Sequence, residues 1–495
     1  MRNKVLIQAL ILGTGQVGGK ILSLIFLFKF AQDVKPIGLY LYTYAYIPFS
    51  LFMDLSAFGL IPGVAKCVSK LLGSREENKI HYLLKSGTFF SLFLGIVFFI
   101  GLNLFNDKIL AVSLYKGYTE EEYSIILNHL RIASYTLFIY PLISFYKGYL
   151  QGHLKMLPTA IAILAENLCR VLLYLYISKI IDISLIRNVF ICNFISYLVS
   201  LILLFFFVCR DYFKRKDRFN AIYTLLKISL PFGMVTMFFT FYQLIDSITL
   251  SSLGIESHVY TAYMFETIRL IFIPIVLAQS VGGALNPKIN VLYTNHKILE
   301  AKTVAVRLTN LMIYLLIPLV VVFKLYAKKL YGFFYAEESL YYILSDVSLF
   351  IFFIGFYKVM IGISQGVKKF NYIVISTFIS SIAKVVLNIV LVPYYNYMGA
   401  VISTILAISI CMVVSYYVLN DAKIKIAVSN LKAVMLSLAA ILFSLFFSTI
   451  FRLTVLLNFS AVLETALFCI FLFLFYVLFL SFLQMFKVSK APAGS

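Results

Sequence analysis

Apolar stretches long enough to cross a hydrocarbon core recur along the whole 495-residue chain, separated by short polar joints. A core about 30 Å thick takes about 20 helical residues, and inside it every backbone polar group has to be satisfied by the segment itself. The pattern therefore specifies an all-α polytopic membrane protein. Changes in hydropathy place about fourteen spans at 5–30, 37–65, 82–106, 124–149, 157–178, 185–208, 222–250, 258–286, 304–326, 342–365, 371–393, 398–419, 431–451 and 461–484. Composition agrees: 62% of residues are hydrophobic and 13% charged. The first run follows Arg2 and Lys4 but is too long for a signal peptide and lacks a small-residue cleavage site, so it reads as a retained span.

The formal net charge of +21 would suit a nucleic-acid partner if it were concentrated. Instead the cations are parcelled into short joints, which excludes nucleic acid and points to orientation by the positive-inside rule. Alternate joints carry Lys66, Lys70, Arg75 and Lys79, then Lys155, then Arg210 to Arg218, while the opposite set holds Glu120, Glu121, Glu122, Glu337 and Glu338. Both termini are expected on the cytoplasmic side, with anionic lipid headgroups as partners of the basic joints. The six cysteines show no CxxC spacing and lie in or beside apolar runs, so neither a disulfide frame nor a metal site is expected. The final APAGS, 491–495, reads as an appended cloning remnant.

One hairpin pattern occurs twice. The turn QGHLK at 151–155 returns as QGVKK 214 positions later, and at the same shift Arg170 falls on Lys384. The strongly basic joint between the sixth and seventh spans divides the chain accordingly. We expect a first lobe at 1–208, a cytoplasmic linker at 209–221, a second lobe at 222–420, two extra spans at 421–486, and parallel lobes related by an axis along the membrane normal. Glycine and proline cluster in the first (Gly13, Gly15, Gly18, Gly19), second (Gly59, Pro62, Gly63), seventh (Pro231, Gly233) and eighth spans (Pro274, Gly282, Gly283). Close packing and bending are both open readings there.

An ionisable group inside a span is costly and marks a site by default. The candidates are Lys20, Asp54, Glu166, Arg170, Asp246, Glu266, Arg269, Lys384 and Glu464. Glu166 and Arg170, four apart, share a helix face and can pair, as can Glu266 and Arg269, three apart. The cation of the first pair recurs in the repeat but the carboxylate does not, since Glu166 falls on Ser380. Lys20 follows a glycine run with no acid in its own helix and suits an anionic ligand. Lys147 and Lys358 sit near helix ends and are read as snorkelling. Glu464 reads as structural. Asp246, with Gln243, Ser247 and Thr249, offers oxygens to a small hard cation or a buried lysine. No Walker loop, zinc-spaced His or Cys, or Gly-x-Ser-x-Gly elbow is present, so an enzyme is not expected. Transport would draw on the membrane potential, an ion gradient or the substrate's own gradient, with no cofactor.

Three segments, SAFGLIPGVAKCVSK, FYKGYLQGHLKMLPTAIAILAENLCRVLL and IRLIFIPIVLAQSVGGALNPKI, resemble the SpoVB/YtgP-like polysaccharide biosynthesis proteins. These group with the MurJ lipid II flippases in the multidrug/oligosaccharidyl-lipid/polysaccharide exporter superfamily. The resemblance implies two six-helix bundles in a V around a cationic cavity, alternating access, and an extra terminal helix pair walling a lipid groove. It implies a lipid-linked substrate whose pyrophosphate meets Lys20, Arg170 and Arg269. Lys20 stands where the first helix of the family has an arginine. Two further family arginines are replaced here, near Phe26 and Phe52. Of the family's sodium ligands Asp246 and Thr404 match, but Lys384 and Asn388 replace the asparagine and second aspartate. These four residues are then expected to act as a conformational switch or tether, with Glu166, Glu266 and Asp54 secondary. The expected activity is lipid II translocation across the bacterial cytoplasmic membrane. Rival readings are a flippase for another capsule or teichuronic-type lipid, a multidrug exporter, or a scaffold recruiting cell-wall synthesis enzymes.

Overall fold

A computed structural model describes residues 2–113, 119–180, 185–214, 217–335, 339–367, 369–455 and 476. Among these, eleven helices are long and apolar enough to cross a membrane, with a shorter apolar helix at Ala427–Phe443. The last expected span, with Glu464, lies outside the described residues apart from Tyr476, and the acidic pair Glu337 and Glu338 also lies outside them.

The first two expected spans form one helical element, α1 (Arg2–Ala57). Twelve residues of straight helix would separate Phe30 and Tyr42 by about 18 Å, yet their rings lie 5.0 Å apart. The element is therefore folded back on itself, and a methyl added at Gly38 would sit 2.8 Å from Val34 Cβ, which places the fold at 34–38. Pro36 falls inside this interval and lacks a helical donor. α1 ends at Phe58 and Gly59, where a φ of +66° makes glycine the fitting residue, and α2 (Leu60–Gly73) completes the second span.

Next come α3 (Glu77–Ser113), α4 (Glu120–Ser134) and α5 (Thr136–Gly152). The expected fourth span is divided at Tyr135 for a local reason. The Tyr135 N–H reaches Ile132 C=O, three residues back, and Pro141, six residues on, offers no N–H to Leu137 C=O. Each piece is then too short to span alone. The acidic run Glu120 to Glu122 forms the first turn of α4, where Thr119 and Glu122 make a reciprocal capping box and the helix dipole favours negative charge.

The hairpin repeat is visible in the helices themselves. α6 (Met156–Ile180) follows the turn after α5, and α15 (Phe370–Tyr395) follows the turn after α14 (Leu349–Gly366), so the two helices start 214 residues apart. Between them lie α7 (Leu185–Val208), α8 (Ala221–Ser252), α9 (Ser257–Thr261), a π-helical turn (Ala262–Thr267), α10 (Ile268–Thr294), α11 (Ile298–Leu325), α12 (Ala327–Tyr335) and α13 (Tyr341–Val347). α16 (Tyr397–Asp421) and α17 (Ala427–Val455) follow. Tyr476 joins α17 to α11 by donating to Tyr314 C=O at 2.8 Å and meeting Ser437 Oγ at 2.8 Å.

The two halves meet along seams on either side of a central space. At one end α2 crosses α8 backbone to backbone: a Cβ on Gly63 would lie 2.7 Å from Ser229 Cα, and one on Gly233 2.7 Å from the Phe58 ring. At that same end of α1, Ser280 Oγ donates to Gln16 Oε1 at 2.7 Å. At the other end, beside the fold in α1, Tyr44 stacks on Tyr260 with centroids 4.5 Å apart and Phe28 on Phe333 at 5.1 Å.

Candidate functional site

Between these seams lies a cavity of about 260 Å³ lined by Lys20, Tyr46, Ser50, Asp54, Gln243, Arg269 and Phe272, among others. α1 supplies its first wall with both arms, and α8 and α10 supply the second. Arg269 is held by aromatic faces, with its guanidinium carbon 4.5 Å from the Tyr46 centroid and 4.7 Å from that of Phe265. Stacking of this kind leaves the in-plane N–H edges free for an anion. No carboxylate among the described residues comes within 4.0 Å of Arg269 or Lys20.

The Glu266–Arg269 pair that a spacing of three residues allows is not formed, and Arg269 lines the cavity. The π-helical turn at Ala262–Thr267 widens the helix just before Arg269, so three residues no longer return the chain to the same face. The Glu266 carboxylate accepts instead from Tyr331 Oη, and its carbonyl from Tyr335 Oη at 3.0 Å.

Arg170 does not line the cavity. It lies beside it, where α6 packs on α1, with Nη2 3.4 Å from Glu166 Oε1, Nη1 3.3 Å from Asn167 Oδ1, and its guanidinium 5.4 Å from the Tyr197 centroid. Its charge is felt by both Lys20 and Arg269. Lys147, read as snorkelling, instead points inward, its Nζ 3.5 Å from Glu166 Oε2. Counted from the turn near residue 154, Lys147 and Glu166 differ in depth by about five residues, or roughly 7 Å, which a lysyl stem can bridge. Lys358 also turns inward, 4.3 Å from the Phe239 centroid and within the field of Asp54. Where the resemblance places further arginines, Phe26 packs against Phe30 and Tyr174, and Phe52 against Phe98.

A second polar cluster sits between α8, α15 and α16. Lys384 is fully buried, and its Nζ lies 2.5 Å from Asp246 Oδ1 while donating to Thr404 Oγ1 (2.6 Å), Ser403 Oγ (2.9 Å) and Ala400 C=O (3.0 Å). Asp246 also accepts from Asn388 Nδ2 at 2.7 Å and Tyr263 Oη at 3.0 Å, and Asn388 Oδ1 accepts from Ser403 Oγ. The ammonium thus fills the oxygen cage that would otherwise suit a small hard cation. The residues present do not fit a sodium ion. Ser403, Ala400 and Tyr263 were not singled out from sequence; the hydroxyl beside Thr404 was the available signal.

A wholly apolar cavity of about 290 Å³ adjoins the first, formed by Leu270, Pro274, Leu277, Leu319, Phe323 and Phe334 with Ile273 shared between the two.

Residues 5–292 match the polysaccharide biosynthesis protein family, and the chain belongs to that family. Residues 231–390 match the MatE family. Among individual relatives, the lipid II flippase MurJ of Bacillus subtilis is 27% identical, over 82% of this chain and 80% of its own length. A solved lipid II flippase MurJ in an inward closed conformation superposes with a TM-score of 0.70 at 18% identity, covering 97% of this chain and all of that one. An outward-facing multidrug resistance MATE family transporter of the MOP superfamily gives 0.66 at 14% identity, covering 86% and 96%. The chain is thus a multi-pass membrane protein with a transporter fold.

Proposed function

We propose that this protein is a flippase for a lipid-linked cell-wall precursor, lipid II being the substrate the reading names first. The observation that carries it is the pairing of two cavities, one cationic, with Lys20 and Arg269 unneutralised, and one apolar beside it. A pyrophosphate headgroup needs the first and a prenyl tail the second. Arg269 offers a planar fork to phosphate oxygens, whereas Lys20 acts as a point charge. Contacts between the halves at both ends of the cavity suit alternating access. A ligand biases that equilibrium only if it binds the states unequally, and a headgroup touching both walls at once does so. Orientation with both termini cytoplasmic belongs to the same reading.

Coupling to sodium at that cage is no part of it, because Lys384 supplies the cation there; the membrane potential, another ion gradient or the substrate gradient drives the cycle. A multidrug exporter of organic cations is disfavoured, since its ligand would meet Lys20 and Arg269. A flippase for another oligosaccharide lipid shares the cavity chemistry. Cell-wall synthesis enzymes remain partners of the proposal, downstream of the transported lipid.

The test is complementation of a strain depleted of its lipid II flippase, comparing wild type with Arg269→Ala at matched membrane expression. Rescue by wild type and failure of the variant supports the reading. Failure of both at full expression moves the substrate to another lipid-linked glycan. Rescue by both removes Arg269 from the mechanism.

A further inference from the structure

The Glu166 cluster lies beside the cavity and has a composition that invites a role. Two cations share one carboxylate, with Lys147 from α5 and Arg170 from α6 at 3.5 and 3.4 Å. All three side chains are nearly buried, at 13%, 11% and 10% exposure for Lys147, Arg170 and Glu166. The contacts are nonetheless long. Charge-assisted hydrogen bonds close to about 2.8 Å, whereas Glu166 Oε2 and Arg170 Nε here make none at all. A structural ion pair at this depth would be expected to close up and saturate its donors. Glu166 instead holds two cations loosely, leaving one edge of the guanidinium unused.

The cluster also connects to the cavity wall. Asn167, which accepts from Arg170, lies against Gly19, and a Cβ there would be 3.1 Å from its amide nitrogen. The next residue is Lys20. Arg170 is thus one side chain removed from the cationic cavity.

Resting on the reading of that cavity as a pyrophosphate site, we propose that Glu166 is an internal counter-ion that competes with the substrate headgroup for Arg170 and Lys147. In the empty transporter the carboxylate occupies both cations and offsets their repulsion with Lys20 and Arg269. When a phosphate-bearing headgroup enters, Arg170 exchanges Glu166 for phosphate oxygens. Departure of the headgroup restores the internal pair, so Glu166 sets how readily the ligand is released. The carboxylate makes the site weaker than its cation count alone would give.

The experiment measures binding of farnesyl pyrophosphate to the full chain in lipid nanodiscs, with farnesol as the control that shares the tail and lacks the phosphates. Glu166→Gln removes the competing charge and is expected to bind farnesyl pyrophosphate about tenfold more tightly, with farnesol unchanged. Lys147→Met leaves Glu166 to Arg170 alone and is expected to weaken binding several-fold. This opposite sign separates competition from a merely structural role, which would weaken binding in both variants. If wild type binds and Glu166→Gln binds equally or more weakly, or Lys147→Met binds more tightly, the proposal is overturned. Should Glu166→Gln fail to fold, Glu166→Asp takes its place: the shorter carboxylate holds both cations less closely, so tighter binding is expected and equal or weaker binding overturns the proposal. If neither wild type nor Glu166→Gln binds the pyrophosphate, the pyrophosphate reading of the cavity falls and the counter-ion proposal with it.

Discussion

Replacing Lys384 by methionine tests the C-terminal cluster with little change in shape, since the two stems have similar length and the position is fully buried. What is lost is the ammonium, with its 2.5 Å approach to Asp246 and its three donated hydrogen bonds. Removing one partner of a buried pair costs about 3–5 kcal/mol, chiefly because the other charge is left in a medium that cannot solvate it. Asp246 is not wholly stranded, for Asn388 and Tyr263 still donate to it, so the lower end, about 3 kcal/mol, is expected. Asp246→Asn together with Lys384→Met removes both charges and should recover about 2 kcal/mol or more of that loss. The measurement is a double-mutant cycle on unfolding in mixed micelles with increasing sodium dodecyl sulfate. A Lys384→Met protein as stable as wild type, or a double variant no better than the single one, would refute the assignment of Lys384 as the neutralising cation.

Three further outcomes follow from the geometry. Lys384→Asn empties the cage while keeping Asp246, Ser403, Thr404 and the Ala400 carbonyl, so sodium chloride should stabilise this variant to heat more than potassium chloride does, and wild type should show no such difference. Gly63→Val cannot fit against Ser229 in this conformation, so in inside-out membrane vesicles, which present the α2 end to the medium, a cysteine placed in the cavity by Ser50→Cys should react several-fold faster with a membrane-impermeant maleimide; an unchanged rate would mean the seam is not a barrier. Tyr331→Phe removes the donor to Glu266 and should cost about 1–3 kcal/mol of stability, read in the same micellar unfolding assay.

Much of the architecture was legible because a bilayer constrains the chain so strongly. The hairpins starting at Met156 and Phe370 recur at the interval the sequence shows, and the Lys384–Asp246 contact agrees with the family resemblance, which puts both residues at one ligand set. The departures share one origin, in that sequence spacing assumes regular helix. Regular spacing allowed Glu266 and Arg269 to pair, but a π-helical turn rotates them apart. The fourth span divides at Tyr135, whose amide bonds the carbonyl three residues back, just ahead of Pro141. Lys147 and Lys358 were expected to reach toward headgroups, because depth can be counted along a helix while facing depends on partners elsewhere, here Glu166 and Phe239. The fold in α1 gave only a weak signal, since Pro36 and Gly38 lie within a run that remains helical on both sides.

The crossing of α2 and α8 bears on how cheaply the two halves can part. Where Gly63 meets the Ser229 backbone the two helices come close enough for dispersion to act between main chains. Pulling the crossing open also uncovers the Phe58 ring that covers Gly233 and the buried Leu225 and Ala221, which share one apolar cluster with Leu60, Val64 and Val68, so separation there carries a solvation penalty as well. Tyr44 on Tyr260 and Phe28 on Phe333, at the opposite end, are large rings in contact. Both doors therefore have to be wetted before they yield, and the one with glycines at its hinge closes only when two backbones return to near contact.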